Sequence, residues 1–158
     1  MVWRKRRKLT GLGLVLVFAI VLAACGDDDE ASSPITSDEL CALLPGAEIG
    51  ALMNADARVT PVANSCELVI ETSPRMHVDV ALLNSEGDAG FEQAVDNWAT
   101  LLDIDPIAIG GVGDRAAGFA DHIIVQSGQS VVRIGGWPEA LVVPQLEEIG
   151  TLIAAALG

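Results

Sequence analysis

Cys66-Glu67-Leu68-Val69-Ile70-Glu71, followed across Thr72-Ser73-Pro74 by Met76-His77-Val78-Asp79-Val80-Ala81-Leu82, decides the fold class. In the first run Cys66, Leu68 and Ile70 alternate with Glu67, Val69 and Glu71. In the second, Met76, Val78, Val80 and Leu82 alternate with His77, Asp79 and Ala81. A period of two marks a strand buried on one face, and the Thr-Ser-Pro break turns the chain. Together they predict an antiparallel hairpin with Cys66 on its core face.

Helical periods flank the hairpin. Upstream, Thr36 with Glu39 three residues on is a capping-box signature. Leu40, Leu43 and Leu44 then mark a short helix that stops at Pro45, and Ala47 to Met53 makes a second helical piece. Downstream, Phe91, Ala94, Val95, Trp98, Leu101 and Leu102 fall at helical spacing after a polar start at Asp88. Trp98 lies on that stripe and reads as a core residue. Ile123 and Val125 predict a strand, Ser127-Gly128 a turn, and Val131 to Ile134 its partner. Pro144 opens a last helix through Leu146, Ile149, Leu152, Ile153 and Leu157. The expected order is α-β-β-α-β-β-α, with room for one more strand before Ile123. Paired strands between helices imply an α+β fold, an antiparallel sheet of four to five strands with helices packed on one face.

These elements occupy residues 37–158, the common size of a single domain. No fixed-period repeat and no second linker divides them. Residues 1–24 read differently. Arg4, Lys5, Arg6, Arg7 and Lys8 form a basic head, and Gly11 to Ala24 carries no charge. That apolar run is shorter than the 20 or so residues a membrane span needs, and small residues close it, as in a secretory signal. Leu22-Ala23-Ala24-Cys25 resembles a bacterial lipobox, which implies cleavage before Cys25 and acylation of its thiol. Residues 25–36, with Asp27-Asp28-Asp29-Glu30, read as an acidic flexible tether. They lack the alternating ligands, central Gly and distant Glu of a calcium loop.

Five of the nine basic residues lie in the head. The other four, Arg58, Arg75, Arg115 and Arg133, face 22 Asp and Glu, a balance of −18 for the processed chain. Such a surface repels nucleic acid, which needs clusters of Lys and Arg. In so acidic a domain, Arg115 and Arg133 are each expected to pair with a carboxylate.

With Cys25 assigned to lipid, Cys41 and Cys66 remain as a pair. In a secreted chain such a pair usually joins, here pinning the first helix to the first strand. Closing the loop from 41 to 66 contributes about 3.5 kcal/mol by chain entropy. A reactive thiol and a metal ligand are the alternatives. No Cys-x-x-Cys is present and His77 and His122 stand apart in sequence, which gives zinc little support. No metal and no cofactor is expected.

Motifs for chemistry are sparse. Gly110-Gly111-Val112-Gly113 matches neither dinucleotide nor P-loop spacing and is read as a turn needing positive φ. There is no G-x-S-x-G elbow. His77 lies two residues from Asp79 on an outward strand face. Trp137, in Gly135-Gly136-Trp137-Pro138, is read as a loop residue whose ring either caps the core or anchors a ligand. Trp137, Arg115, Arg133 and His77 are therefore the candidate contacts for a ligand or partner.

Leu40-Cys41-Ala42-Leu43-Leu44-Pro45, Ala47-Glu48-Ile49, a second cysteine opening a strand, and Gly111-Val112-Gly113-Asp114-Arg115-Ala116 resemble a family of actinobacterial lipoproteins of unknown function. Leu40 replaces that family's usual proline before the first cysteine, and Leu68 replaces its usual tryptophan after the second. The resemblance implies a lipid anchor on Cys25, a Cys41–Cys66 bridge and a place in the cell envelope. It supplies no activity.

The leading expectation is a non-catalytic binding or interaction module held on the extracytoplasmic face of the membrane by its lipid, contacting an envelope protein or a small ligand. A small-molecule or lipid pocket between sheet and helices is the second, since 51% hydrophobic content permits an apolar cavity. An envelope hydrolase is the third.

Overall fold

A computed structural model describes residues 35–72, 74–137 and 143–158, with the backbone alone at Trp137 and Val143. The expected signal (1–24), Cys25 and nearly all of the tether lie outside the described residues.

Helix α1 (Ser37–Leu43) starts on a true capping box: the Glu39 N–H donates to Thr36 Oγ1 at 3.3 Å, and the Thr36 N–H donates to Glu39 Oε2 at 2.8 Å. Those bonds, first the one from the Thr36 backbone, hold the Glu39 carboxyl below its usual range. The helix ends as Leu44 turns extended, which the following Pro45 favours. Helix α2 (Gly46–Leu52) follows.

Among the described residues the sheet has seven strands: β1 (Ala57–Val62), β2 (Ser65–Ile70), β3 (Met76–Asn84), β4 (Ile107–Ile109), β5 (Arg115–Gly118), β6 (His122–Ser127) and β7 (Ser130–Trp137). Their order is β1-β2-β3-β7-β6-β5-β4, antiparallel throughout. The hairpin read from sequence is β2–β3, in register Cys66↔Val80, Leu68↔Val78 and Ile70↔Met76. Four to five strands were expected, so the count is corrected to seven. Beyond the strand allowed for before Ile123, β1 and β4 are added, and both are edges. The side chains of β1 are mostly exposed and β4 spans three residues, so neither has an apolar alternation to read.

A second correction concerns the helices, which cover both faces. Leu40, Leu44 and Ile49 of α1 and α2 join Leu146, Ile149 and Ile153 of α4 (Val143–Leu157) in one core cluster with Leu68, Val78, Val80, Ile123, Val125, Val132 and Ile134. Helix α3 (Gly87–Leu102) instead packs Phe91 and Ala94 on Ala117, Phe119, Ile124 and Val131. Ile123 and Ile124 are neighbours on one strand and point to opposite faces, so α3 and α4 lie on opposite sides of the sheet. All six residues of β6 are buried as a result. The apolar stripe of α3 is covered only in part. Trp98 is half-buried at its edge, and Leu101 stays 71% exposed.

Cys41 and Cys66 form a disulfide, fastening α1 to β2. In the Gly-rich loop, Gly111 and Gly113 take φ of 81° and 59°, as a turn requires, and Val112 is buried in the main core.

Candidate functional site

Helix α3 shields the β5–β7 side of its face and leaves the β2–β3 side to polar residues. The alternation that buries Leu68, Val78 and Val80 must turn Glu67, His77 and Asp79 the other way. Their strands are placed by register. Glu67 is opposite Asp79, Asp79 opposite Gly135, and Gly135 opposite His122, one row across β2, β3, β7 and β6. Around this row lies an open basin of about 580 Å³, bounded by Glu67, His77, Asp79, Asp121 and Arg133, with Gly135, Gly136 and Val62 completing it.

Three contacts between a carboxylate and a basic side chain organise the basin. His77 Nδ1 lies 2.7 Å from Glu67 Oε1, both more than a third exposed. The Arg133 guanidinium donates to Asp79 Oδ2, with side chains 26% and 41% exposed. Arg133 also stands over the Trp98 ring, 5.5 Å from its centroid. His122 Nδ1 lies 2.6 Å from Asp121 Oδ1.

His122 is itself 1% exposed. Its ring lies between Trp98, 4.5 Å away and tilted, and Phe119, stacked at 4.8 Å. Burial pushes its pKa below the usual imidazole range; the Asp121 carboxylate works against that shift, and the Arg133 charge adds to it. The ring is therefore neutral at neutral pH, with its proton on Nδ1 facing Asp121. The other nitrogen, Nε2, is buried and has no hydrogen-bond partner among the described residues.

Of the four contacts singled out in sequence, His77 and Arg133 meet at the basin. Arg115 does not. It lies 3.3 Å from Glu92 and 4.0 Å from Asp88, and stacks 4.5 Å from the Phe91 centroid, clasping α3 to β5. Both arginines thus pair with carboxylates, as expected. Trp137 was read as a loop residue, but its backbone belongs to β7 and pairs with His77; its side chain lies outside the described residues. Sequence reading passed over Glu67, Asp121, His122 and Gly135 as site residues. The signal for Glu67 was its outward place opposite Asp79, and that for His122 was a histidine opening an apolar strand.

The Gly111-Val112-Gly113-Asp114 loop is structural. The Asp114 N–H donates to Gln126 O at 2.9 Å, and Asp114 Oδ2 accepts from the Gly128 N–H at 2.8 Å. Among the described residues no group of three His, Cys, Asp or Glu is placed to hold a metal ion, and no helix is long and apolar enough to cross a membrane.

No family model, curated protein or solved structure matches the chain. The basin is therefore read on its own chemistry. Arg133 and His77 each already face a carboxylate, and Asp121 faces a neutral ring. Three carboxylates against one guanidinium and one imidazole leave the surplus negative.

Proposed function

We propose that this chain is a lipid-anchored binding module of the bacterial cell envelope, non-catalytic, with residues 37–158 held by the tether 25–36 from an acylated Cys25. The basin of about 580 Å³ beside α3, lined by Glu67, His77, Asp79, Asp121 and Arg133, is its ligand site, and this single feature carries the reading. It is large enough for a small ligand or a few residues of a partner chain. Among the described residues its walls offer carboxylates, an imidazole and a guanidinium and include no hydroxyl or thiol nucleophile, which favours binding over the hydrolase alternative. The lipobox likeness and the Cys41–Cys66 bridge support an extracytoplasmic place, where disulfides persist.

The second reading, a lipid held between sheet and helices, gains no support from the core. Leu68, Ile70, Val78 and Val80 meet Leu146, Ile149 and Ile153 there, all essentially inaccessible.

Two measurements test the proposal. Mass analysis of the product from its native host should give an N-terminal acylated Cys25; an intact Met1 start would end the anchored reading. Native mass spectrometry of the full chain in neutral detergent should show a ligand that Gly135→Leu displaces. Identical adducts in both forms would remove the basin from the account.

A further inference from the structure

The basin's chemistry narrows its ligand, an inference that rests on the binding reading above. Glu67 and Asp79 are directly opposite on adjacent strands, an arrangement that is destabilising for like charges. Each has one basic neighbour, His77 for Glu67 and Arg133 for Asp79, and neither neighbour is left over for an anion. Asp121 has a neutral imidazole for its partner, so its charge is unbalanced. His122, in the same row, does not line the basin and reaches it only through Asp121.

The floor of the basin is built for occupancy. Gly135 sits between Asp79 and His122 in the row, inside a strand and without positive φ. A Cβ there would touch Arg133, His122 and Asp121 only at ordinary contact distances, 3.5 to 3.6 Å. The backbone does not demand glycine at this position. What the missing side chain provides is depth beneath the carboxylates. Val62, 46% exposed, supplies an apolar wall.

We infer that the basin takes a protonated aliphatic amine, its ammonium group beside the opposed Glu67 and Asp79 and its methylenes against Val62, with Asp121 adding to the negative field. An ammonium presents three donors and no acceptor, which matches a lining with acceptors in excess. Its charge relieves the opposed carboxylates.

The test uses the full acylated chain in neutral detergent at pH 7.5 and three four-carbon probes that differ only in charge: 1,4-diaminobutane, butane-1,4-diol and succinate. Titration calorimetry should give saturable binding of the diamine that persists at physiological salt, with the diol and succinate at least tenfold weaker. Glu67→Gln should weaken the diamine about fivefold or more, in line with one lost charge-assisted hydrogen bond, and Asp121→Asn should weaken it by a smaller factor through the lost field. Gly135→Leu should abolish binding, and Gly135→Ala, which fits the strand, should weaken it if the leucine variant fails to fold. Diol or succinate binding as tightly as the diamine, and lost in the Gly135 variants, overturns the amine while keeping the basin as a site. No probe binding in a Gly135-dependent way overturns both, including the case in which the diamine binds equally to wild type and variants through diffuse charge.

Discussion

A Cβ on Gly113 would stand 2.3 Å from the main-chain oxygen of Gln126. The loop presses against β6 at that point because the next N–H, of Asp114, donates to the same oxygen. The Gly111-Val112-Gly113-Asp114 loop thus closes a turn and seats Val112 in the core. Three glycine substitutions should separate the two reasons for glycine. Gly113→Ala combines positive φ with a backbone clash and is expected to cost about 2–4 kcal/mol. Gly111→Ala, at φ 81° with open space around it, should cost about 1 kcal/mol. Gly110→Ala, open and without positive φ, should be near neutral. Urea midpoints rank the three, and equal midpoints for Gly113→Ala and Gly110→Ala would show that the contact is not real.

The Cys41–Cys66 bridge spans a sequence separation of 25. Replacing both cysteines by alanine is expected to lower stability by about 3.5 kcal/mol through the freed unfolded chain, with a small addition because Cys66 is fully buried. The denaturant slope should rise as the unfolded state expands. Unchanged midpoints with and without reductant would mean the bridge contributes nothing.

Local periodicity made β2, β3, α3 and α4 readable because each has a long apolar stripe. It failed at β1, where Arg58 and Thr60 are exposed and Pro61 interrupts the run, and at β4, which spans three residues. Which face a helix covers is not written in its own stripe. The clue lay in Ile123-Ile124-Val125, a continuous apolar run, which marks a strand buried on both faces. The basin was harder still. His77, Asp79 and Arg133 each stood out alone, but they converge only because β3 pairs with β7 rather than with a sequence neighbour, and no local pattern specifies that pairing.

His122 should make the fold sensitive to acid. Its folded pKa lies below the unfolded value near 6.5. Below that value the unfolded chain binds a proton that the folded chain refuses, so stability falls as pH drops from about 6.5 through the folded pKa, and this group adds no pH dependence above. His122→Phe should flatten the stability profile between pH 7 and 5. Glu39 acts in the same sense further down: its capping bonds stabilise the fold above about pH 4.5 and are lost as pH falls through its lowered pKa. Thr36→Ala, which keeps the backbone bond, should only shrink that lower step, and Glu39→Gln should remove it. A His122→Phe profile parallel to wild type over the upper window contradicts the burial argument.

Arg133 is placed to hold apart what Glu67 and Asp79 bring together. Removing the cation leaves Asp79 without its basic partner opposite Glu67 and also strips a contact from Trp98. Removing Asp79 instead ends the repulsion and leaves Arg133 in a basin that still holds Glu67 and Asp121. The two losses are therefore unequal. Arg133→Gln is expected to cost about 1–3 kcal/mol, Asp79→Asn about half as much, and the double variant less than the sum by about 1 kcal/mol, a scale set by the partial exposure of the pair. Glu67→Gln added to Arg133→Gln should recover part of the loss, since it removes the other side of the repulsion. Chemical denaturation of the single, double and rescue variants measures each step. Equal single losses with no rescue by Glu67→Gln would place the stabilising role of Arg133 in its packing on Trp98 and not in the charge it sets between the carboxylates.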